Sequence, residues 1–319
     1  MWFWLSLVTL LFWSGSDLFG KLGSGNTKDR TSHLKMICSV GLIMGIHALF
    51  SLFLGSAELS WDVFIKYLPV SLLYIVSMAF SYMAFRYIEL SISSPICNSS
   101  GALVAILVLV TQGLGEDLSP WSLVAVIFVC TGVILLGFVE AHEDEELRAA
   151  RQDASNHRYA KSKLAFVLPI LYCILDALGT FADSRVLEVL DEDSANCAYE
   201  LTFFAAAVVC FVYLKVKGAR GSDKGAGARA GSEKLSSAES KKLWSFRILA
   251  GVCETVGQLS YVYALADTEH VAFAAPIMAS FCIGSVILSR IFLKERLSVK
   301  HYIAIGIVFV GIVILGILD

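Results

Sequence analysis

The chain has 319 residues, 57% of them hydrophobic, with a mean hydropathy of +0.71 and a formal net charge of −3. Charged residues make up only 17%, against about 25% in soluble proteins. This composition excludes an ordinary soluble domain, points to a chain that crosses the bilayer many times, and offers no basic surface to a nucleic acid.

Ten apolar segments of about 20 residues, enough to cross a hydrocarbon core of roughly 30 Å, follow one another. They span 2–20, 34–54, 67–88, 91–113, 120–139, 164–183, 195–216, 246–266, 271–292 and 301–318. The first starts at Met1 with no basic residue ahead of it and no small-residue cleavage site behind it, so it reads as a retained helix. Two connections are long. Residues 140–163 pass from an acidic cluster (Glu143, Asp144, Glu145, Glu146) to a basic end and read as a polar linker. Residues 217–242, rich in Gly, Ala, Ser and Lys, have the composition of a flexible loop. Eight cysteines are scattered with no CxxC spacing. Most lie in apolar runs, where a thiol behaves as a small hydrophobe, so neither a metal nor a disulfide framework nor a cofactor is expected.

All but two of the 25 Lys and Arg, Lys66 and Arg185, fall in or beside the loops after odd-numbered segments. The positive-inside rule places those loops in the cytoplasm and both termini outside.

The two halves resemble each other. Glu116-Asp117-Leu118-Ser119 aligns with Glu295-Arg296-Leu297-Ser298, and the helices that follow end in Gly132-Val133-Ile134-Leu135-Leu136-Gly137 and Gly311-Ile312-Val313-Ile314-Leu315-Gly316. Ser81-Tyr82 aligns with Ser260-Tyr261, Pro95-Ile96 with Pro276-Ile277, and Asp17-x-x-Gly20 with Asp176-x-x-Gly179. Five helices per half is an odd number, so the expected fold is an all-α membrane protein of ten transmembrane helices in two inverted five-helix repeats. The expected units are 1–139 and 164–318, joined by the linker.

With Trp13-Ser14-Gly15-Ser16-Asp17 in the first helix and the turn Leu293-Lys294-Glu295-Arg296-Leu297-Ser298, this pattern resembles the drug/metabolite transporter superfamily, EamA-like branch. The resemblance implies a secondary transporter, in many cases an exporter of amino acids, amines or drugs. Asp176-Ala177-Leu178-Gly179-Thr180 is also similar to the first helix of the small multidrug resistance proteins, where a membrane Glu exchanges protons for cations. Here the acid is Asp, and the first-half copy has Lys21 in place of Thr.

The chemistry is concentrated in a few intramembrane groups. Asp176 sits inside the stretch Leu171–Asp183 and shares a helical face with Gly179, Thr180 and Asp183. A charge at the middle of a membrane helix costs roughly 2.5–3.5 kcal/mol, so it either binds a proton or a cation or is held by neighbouring hydroxyls. Glu254 lies mid-helix with Gln258 and Tyr261 on or near its face, suited to bind an amine or carry a proton. Asp17 has Lys21 one turn later, readable as a structural or gating ion pair whose lysine snorkels to the cytoplasmic interface. His47 reads as a proton relay or a packing residue. Glu200 reads as the start of the seventh helix, where a carboxylate suits the helix dipole. Asn98, with the serines around Pro95, either faces a wet cavity or joins helices. Gly306, Gly311 and Gly316 suggest close packing or an oligomer contact.

The expected function is therefore a proton-coupled, alternating-access exporter of small amines, amino acids or cationic compounds. The expected partners are a small-molecule substrate, protons and the lipid bilayer, in a monomer or homodimer of the plasma membrane, the inner membrane of a bacterium. The alternative is a facilitative exchanger of neutral or anionic metabolites such as sugars. An intramembrane enzyme has less support: no paired-His metal motif and no nucleophile with an evident base occur in the sequence.

Overall fold

The computed structural model describes residues 1–24, 29, 31–55, 57–112, 120–141, 164–223, 237–294 and 298–318, and among them there are helices and no strands. The turns at Glu116–Ser119 and Glu295–Leu297, and the central parts of both long connections, lie outside the described residues.

The first half contributes α1 (Trp2–Ser24), α2 (Ser32–Leu54), α3 (Trp61–Ala84), α4 (Leu90–Asn98), α5 (Ser100–Gln112) and α6 (Pro120–Ala141). The second contributes α7 (Leu164–Val186), α8 (Glu192–Asp223), α9 (Ser237–Leu265), α10 (Val271–Ala279), α11 (Phe281–Leu288) and α12 (Val299–Leu318). The ten apolar segments thus become ten rods, of which the fourth and ninth are each broken in two. Seven helical stretches are long and apolar enough to cross a membrane, and Ile96–Thr111, Leu123–Leu135 and Val299–Ile314 are shorter apolar ones.

The helix ends follow polar caps rather than the onset of hydrophobicity. α3 begins six residues earlier than its apolar run because Ser60 accepts a hydrogen bond from the Val63 amide (3.2 Å) and Asp62 sits in the first turn. α8 begins at Glu192, with Glu192 and Asp193 in its first turn, so Glu200 lies two turns inside the helix and not at its start.

Each broken rod carries a proline four residues before the break: Pro95 before Ser99 and Pro276 before Ser280. Proline removes an amide donor and crowds the preceding turn. At the second break Ser280 Oγ donates to the Pro276 carbonyl (2.7 Å), and Ser14 of α1 donates to the Phe281 carbonyl (2.9 Å). Such local replacements are what irregular backbone needs at membrane depth.

The closest pairings all join the two halves: α1 with α9, α2 with α8, α3 with α7, α6 with α12, α5 with α10 and α4 with α11. The α6–α12 crossing is reciprocal. A Cβ on Gly132 would lie 3.0 Å from the Ala304 carbonyl oxygen and 2.9 Å from the Val308 amide, while one on Gly311 would lie 2.7 Å from the Ala125 carbonyl and 2.9 Å from the Val129 amide. Glycine permits this backbone approach, which in lipid replaces the hydrophobic drive as the source of helix association. Gly311 therefore packs inside the molecule, whereas Gly306 faces open space. The outward faces carry large apolar side chains such as Leu11, Phe50, Phe53, Ile65 and Val110, while serines, tyrosines and carboxyls fill the middle.

Candidate functional site

The middle of the bundle holds a cavity of about 40 Å³, measured as space open to the centres of water-sized spheres and bounded by α1, α3, α7, α8, α9 and α11. One water needs roughly 10–15 Å³ on that measure, so the space takes about three. Asp17, Asp176 and Glu254 all line it. A second cavity of about 20 Å³ lies on the other side of Asp176, between Asn98, Ser100, Thr180 and Tyr261. Trp13 and Phe281 border both spaces, with ring centroids 5.5 Å apart.

The three carboxyls come from three helices and are held by serine hydroxyls. Asp17 Oδ2 accepts from Ser94 Oγ (2.5 Å) and Ser285 Oγ (2.8 Å). Asp176 Oδ2 accepts from Ser100 Oγ (2.7 Å), and Glu254 Oε2 from Ser16 Oγ (2.6 Å). The broken rods supply most of these donors: Ser94 is on α4, Ser100 opens α5 and Ser285 is on α11. Asn98 acts one step behind, its amide donating to the Ser94 carbonyl (2.7 Å) and Ser94 Oγ (3.1 Å). Three further polar atoms at the cavity wall, Trp13 Nε1, Tyr82 Oη and Gln258 Nε2, are buried with no hydrogen-bond partner. Each such group costs about 1–3 kcal/mol while it stays unpaired.

Thr180 and Gly179 belong to a tyrosine network beside the second cavity. Tyr261 Oη donates to Thr180 Oγ1 (2.9 Å) and is bonded to Tyr74 Oη. Tyr74 and Tyr67 donate to the two oxygens of the buried Asp183 carboxyl, at 3.2 and 2.7 Å. Gly179 makes room for this arrangement: a Cβ there would come within 2.8 Å of the Tyr74 ring. Asp183 lay on the Asp176 face in sequence, but Tyr67 and Tyr74 carried no signal there, since tyrosines in apolar helices are common and their partner is more than 100 residues away.

Asp17 and Asp176 line the same cavity. Lys21 is fully buried and does not snorkel to the interface: its ammonium donates to the carbonyls of Phe85 (2.5 Å) and Ile88 (2.6 Å) just past the end of α3, where the helix dipole is negative. His47 and Glu200 are brought together elsewhere, between α2 and α8, with Nδ1 2.8 Å from both carboxylate oxygens. Neither lines a central cavity. Tyr263 points away and bonds Asp193. Trp2 stacks on His270, with ring centroids 5.2 Å apart and planes 12° apart.

The chain positions before α2 carry a second polar cluster that sequence reasoning did not single out. Arg247, 2% exposed, donates to the Gly23 carbonyl (3.0 Å) and to Asp29 Oδ2 (3.2 Å), which also takes Lys35 Nζ (2.7 Å). Burial alone would raise the Asp29 carboxyl, but the bond and charge of Lys35, the Thr31 bond and the Arg247 charge outweigh it and hold it below its ordinary value of 3.8.

The central cavity is thus lined by three carboxyls from both halves of a bundle that is polar inside and apolar outside. Residues 170–317, α7 to α12, match the model of the EamA-like transporter family. Over its second half the chain is therefore similar to the EamA-like transporters. This agrees with the drug/metabolite transporter resemblance read from the sequence motifs, and it points to a membrane transporter rather than an enzyme. Twenty-eight chains of solved structures match the fold. One, described only as a crystal structure of a protein, covers 99% of this chain and 96% of its own at a TM-score of 0.61 and 13% identity. No curated protein gives a significant match.

Proposed function

We propose that this EamA-domain protein is a proton-coupled secondary transporter that exports small amines or cationic compounds by alternating access. The observation that carries the reading is the single cavity with Asp17, Asp176 and Glu254 on its wall, each held by neutral hydroxyls. Carboxyls so placed bind either a proton or a substrate cation, and competition between the two is what couples exchange. Aromatic faces of Trp13 and Phe281 add cation–π attraction.

The pairing of every rod with one from the other half, the two proline-led breaks and the reciprocal Gly132 and Gly311 crossings support two inverted five-helix repeats. Rocking of one repeat against the other then exposes the cavity to each side in turn. On this reading the loops after odd-numbered rods are cytoplasmic, the membrane is the plasma membrane, and the chain works as a monomer or homodimer.

Uptake of amines into proteoliposomes under an imposed pH gradient tests the proposal. Gradient-driven flux in the wild type and its loss in both Asp176→Asn and Glu254→Gln is the expected result. Flux that persists unchanged in both variants would sink the coupling role of these acids. Sugar exchange indifferent to the gradient would replace the proposal with facilitated metabolite exchange.

A further inference from the structure

The central cavity offers more than acidic side chains. Its three carboxyls supply acceptors for an ammonium group. Trp13, Tyr82 and Gln258 line the same wall, and their buried Nε1, Oη and Nε2 have no hydrogen-bond partner among the described residues. Tyr82 and Gln258 are each 3% exposed, so these polar ends are not left to bulk solvent. An indole N–H can only donate, a phenol O–H donates readily, and the primary amide donates twice. A ligand that brings only a cation would leave all three unmatched. A second feature narrows the choice. Among the described residues that line the two cavities there is no Lys, Arg or His. A free carboxylate on the ligand would enter beside three acidic side chains with only neutral donors to receive it, which like-charge repulsion disfavours. A carbonyl or hydroxyl oxygen meets the same donors without that repulsion.

We propose that the cavity selects a small primary amine bearing a neutral hydrogen-bond acceptor, an amide carbonyl or a hydroxyl, three bonds from the nitrogen. The ammonium sits against Asp17, Asp176 and Glu254, and the neutral oxygen against Trp13, Tyr82 and Gln258. Glu254 and Gln258 are four residues apart on α9, so their Cβ atoms are about 5–6 Å apart on one helix face, which brings an acceptor and a donor to the same wall. The small cavity sets the size limit. The proposal rests on the amine-transport reading above and names the chemistry of its substrate.

Glycinamide, glycine and propylamine, similar in size, separate the possibilities. Each is titrated calorimetrically into the detergent-solubilised full chain and tested for gradient-driven flux in proteoliposomes. Glycinamide is expected to bind at least tenfold more tightly than propylamine and glycine, and Gln258→Leu and Tyr82→Phe are each expected to reduce the glycinamide-to-propylamine ratio several-fold. Equal binding of propylamine would overturn the role of the three donors. Glycine binding as well as glycinamide would overturn the preference for a neutral acceptor and make the ligand a zwitterion. Preferential glycinamide binding without gradient-driven flux would uphold the ligand assignment and sink the transport reading instead, while no binding of any of the three would overturn the assignment itself.

Discussion

The ends of α1 and α7 each follow an Asp-x-x-Gly motif, yet they are tied down by opposite chemistry. Counting from Asp17 and Asp176, Lys21 matches Thr180 and Ser24 matches Asp183. At the α1 end, charges do the work: Lys21 is spent on carbonyls beyond α3, and Arg247 of α9 ties the Gly23 carbonyl to Asp29. At the α7 end the cross-links are neutral donors on one buried carboxyl, Tyr67 and Tyr74 on Asp183, with Tyr261 and Thr180 continuing the chain. In the proposed orientation the α1 end would be the cytoplasmic one, where the positive-inside rule gathers Lys and Arg, and the α7 end the outer one. Two helix ends that follow the same acid-x-x-Gly spacing can thus be tied down by different chemistry and differ in what disrupts them.

The sharpest way to break the comparison is Arg247→Met. It strips Asp29 of a buried partner and leaves the Gly23 carbonyl without its donor, and removing one member of a buried pair costs about 3–5 kcal/mol. A large drop in the thermal unfolding midpoint in detergent is expected. A drop no larger than that of a surface substitution would show that the α1 closure does not depend on this ion pair.

Asp183→Asn tests the other closure and should cost less. One phenol keeps the amide carbonyl to donate to, and the other meets the amide NH2 and can only accept from it, so the loss is the difference between charged and neutral bonds, about 1 kcal/mol for each bond. The midpoint should fall by less than in Arg247→Met. A cysteine placed by Thr180→Cys should react faster with a thiol reagent from the outside in the Asp183→Asn background. Unchanged labelling would show that the tyrosine network does not control access at the α7 end.

These two closures also mark what sequence reveals and what it withholds. The ten rods were legible because apolar length is a strong signal, but the two breaks were not: the fourth and ninth segments read as continuous, since a proline in an apolar run does not say whether the helix kinks or parts. Asp17, Asp176 and Glu254 stood out because a charge in an apolar run is costly. Their partners did not stand out. Ser16, Ser94, Ser100 and Ser285 look like any small residue that glues helices, and only the fold shows that each faces a carboxyl. Arg247 was hidden for the opposite reason: it stands near the end of an apolar segment, where basic residues are ordinary, and its value lies in Asp29, 218 positions away. Lys21 was misjudged because a lysine near a helix end normally reaches water, and the carbonyls that hold it belong to the turn after α3.

The smallest expected effect is a pH dependence confined to the α1 end. Asp29 lies outside the membrane-spanning helices, and its carboxyl is held below 3.8 in the folded chain by Lys35, Thr31 and Arg247 against the opposing effect of burial. A depressed folded value means the carboxylate stabilises the fold above about pH 4 and stops doing so as the pH falls through the folded value, below 3.8. Between pH 5 and 8 this group should therefore contribute a constant amount, and the wild-type-minus-Asp29→Asn difference in unfolding midpoint should be flat. It should shrink only in the acid range below that window. A difference that changes near neutral pH would mean that another group near Asp29 is titrating, and the division into a charge-based α1 closure and a tyrosine-based α7 closure would have to be redrawn around it.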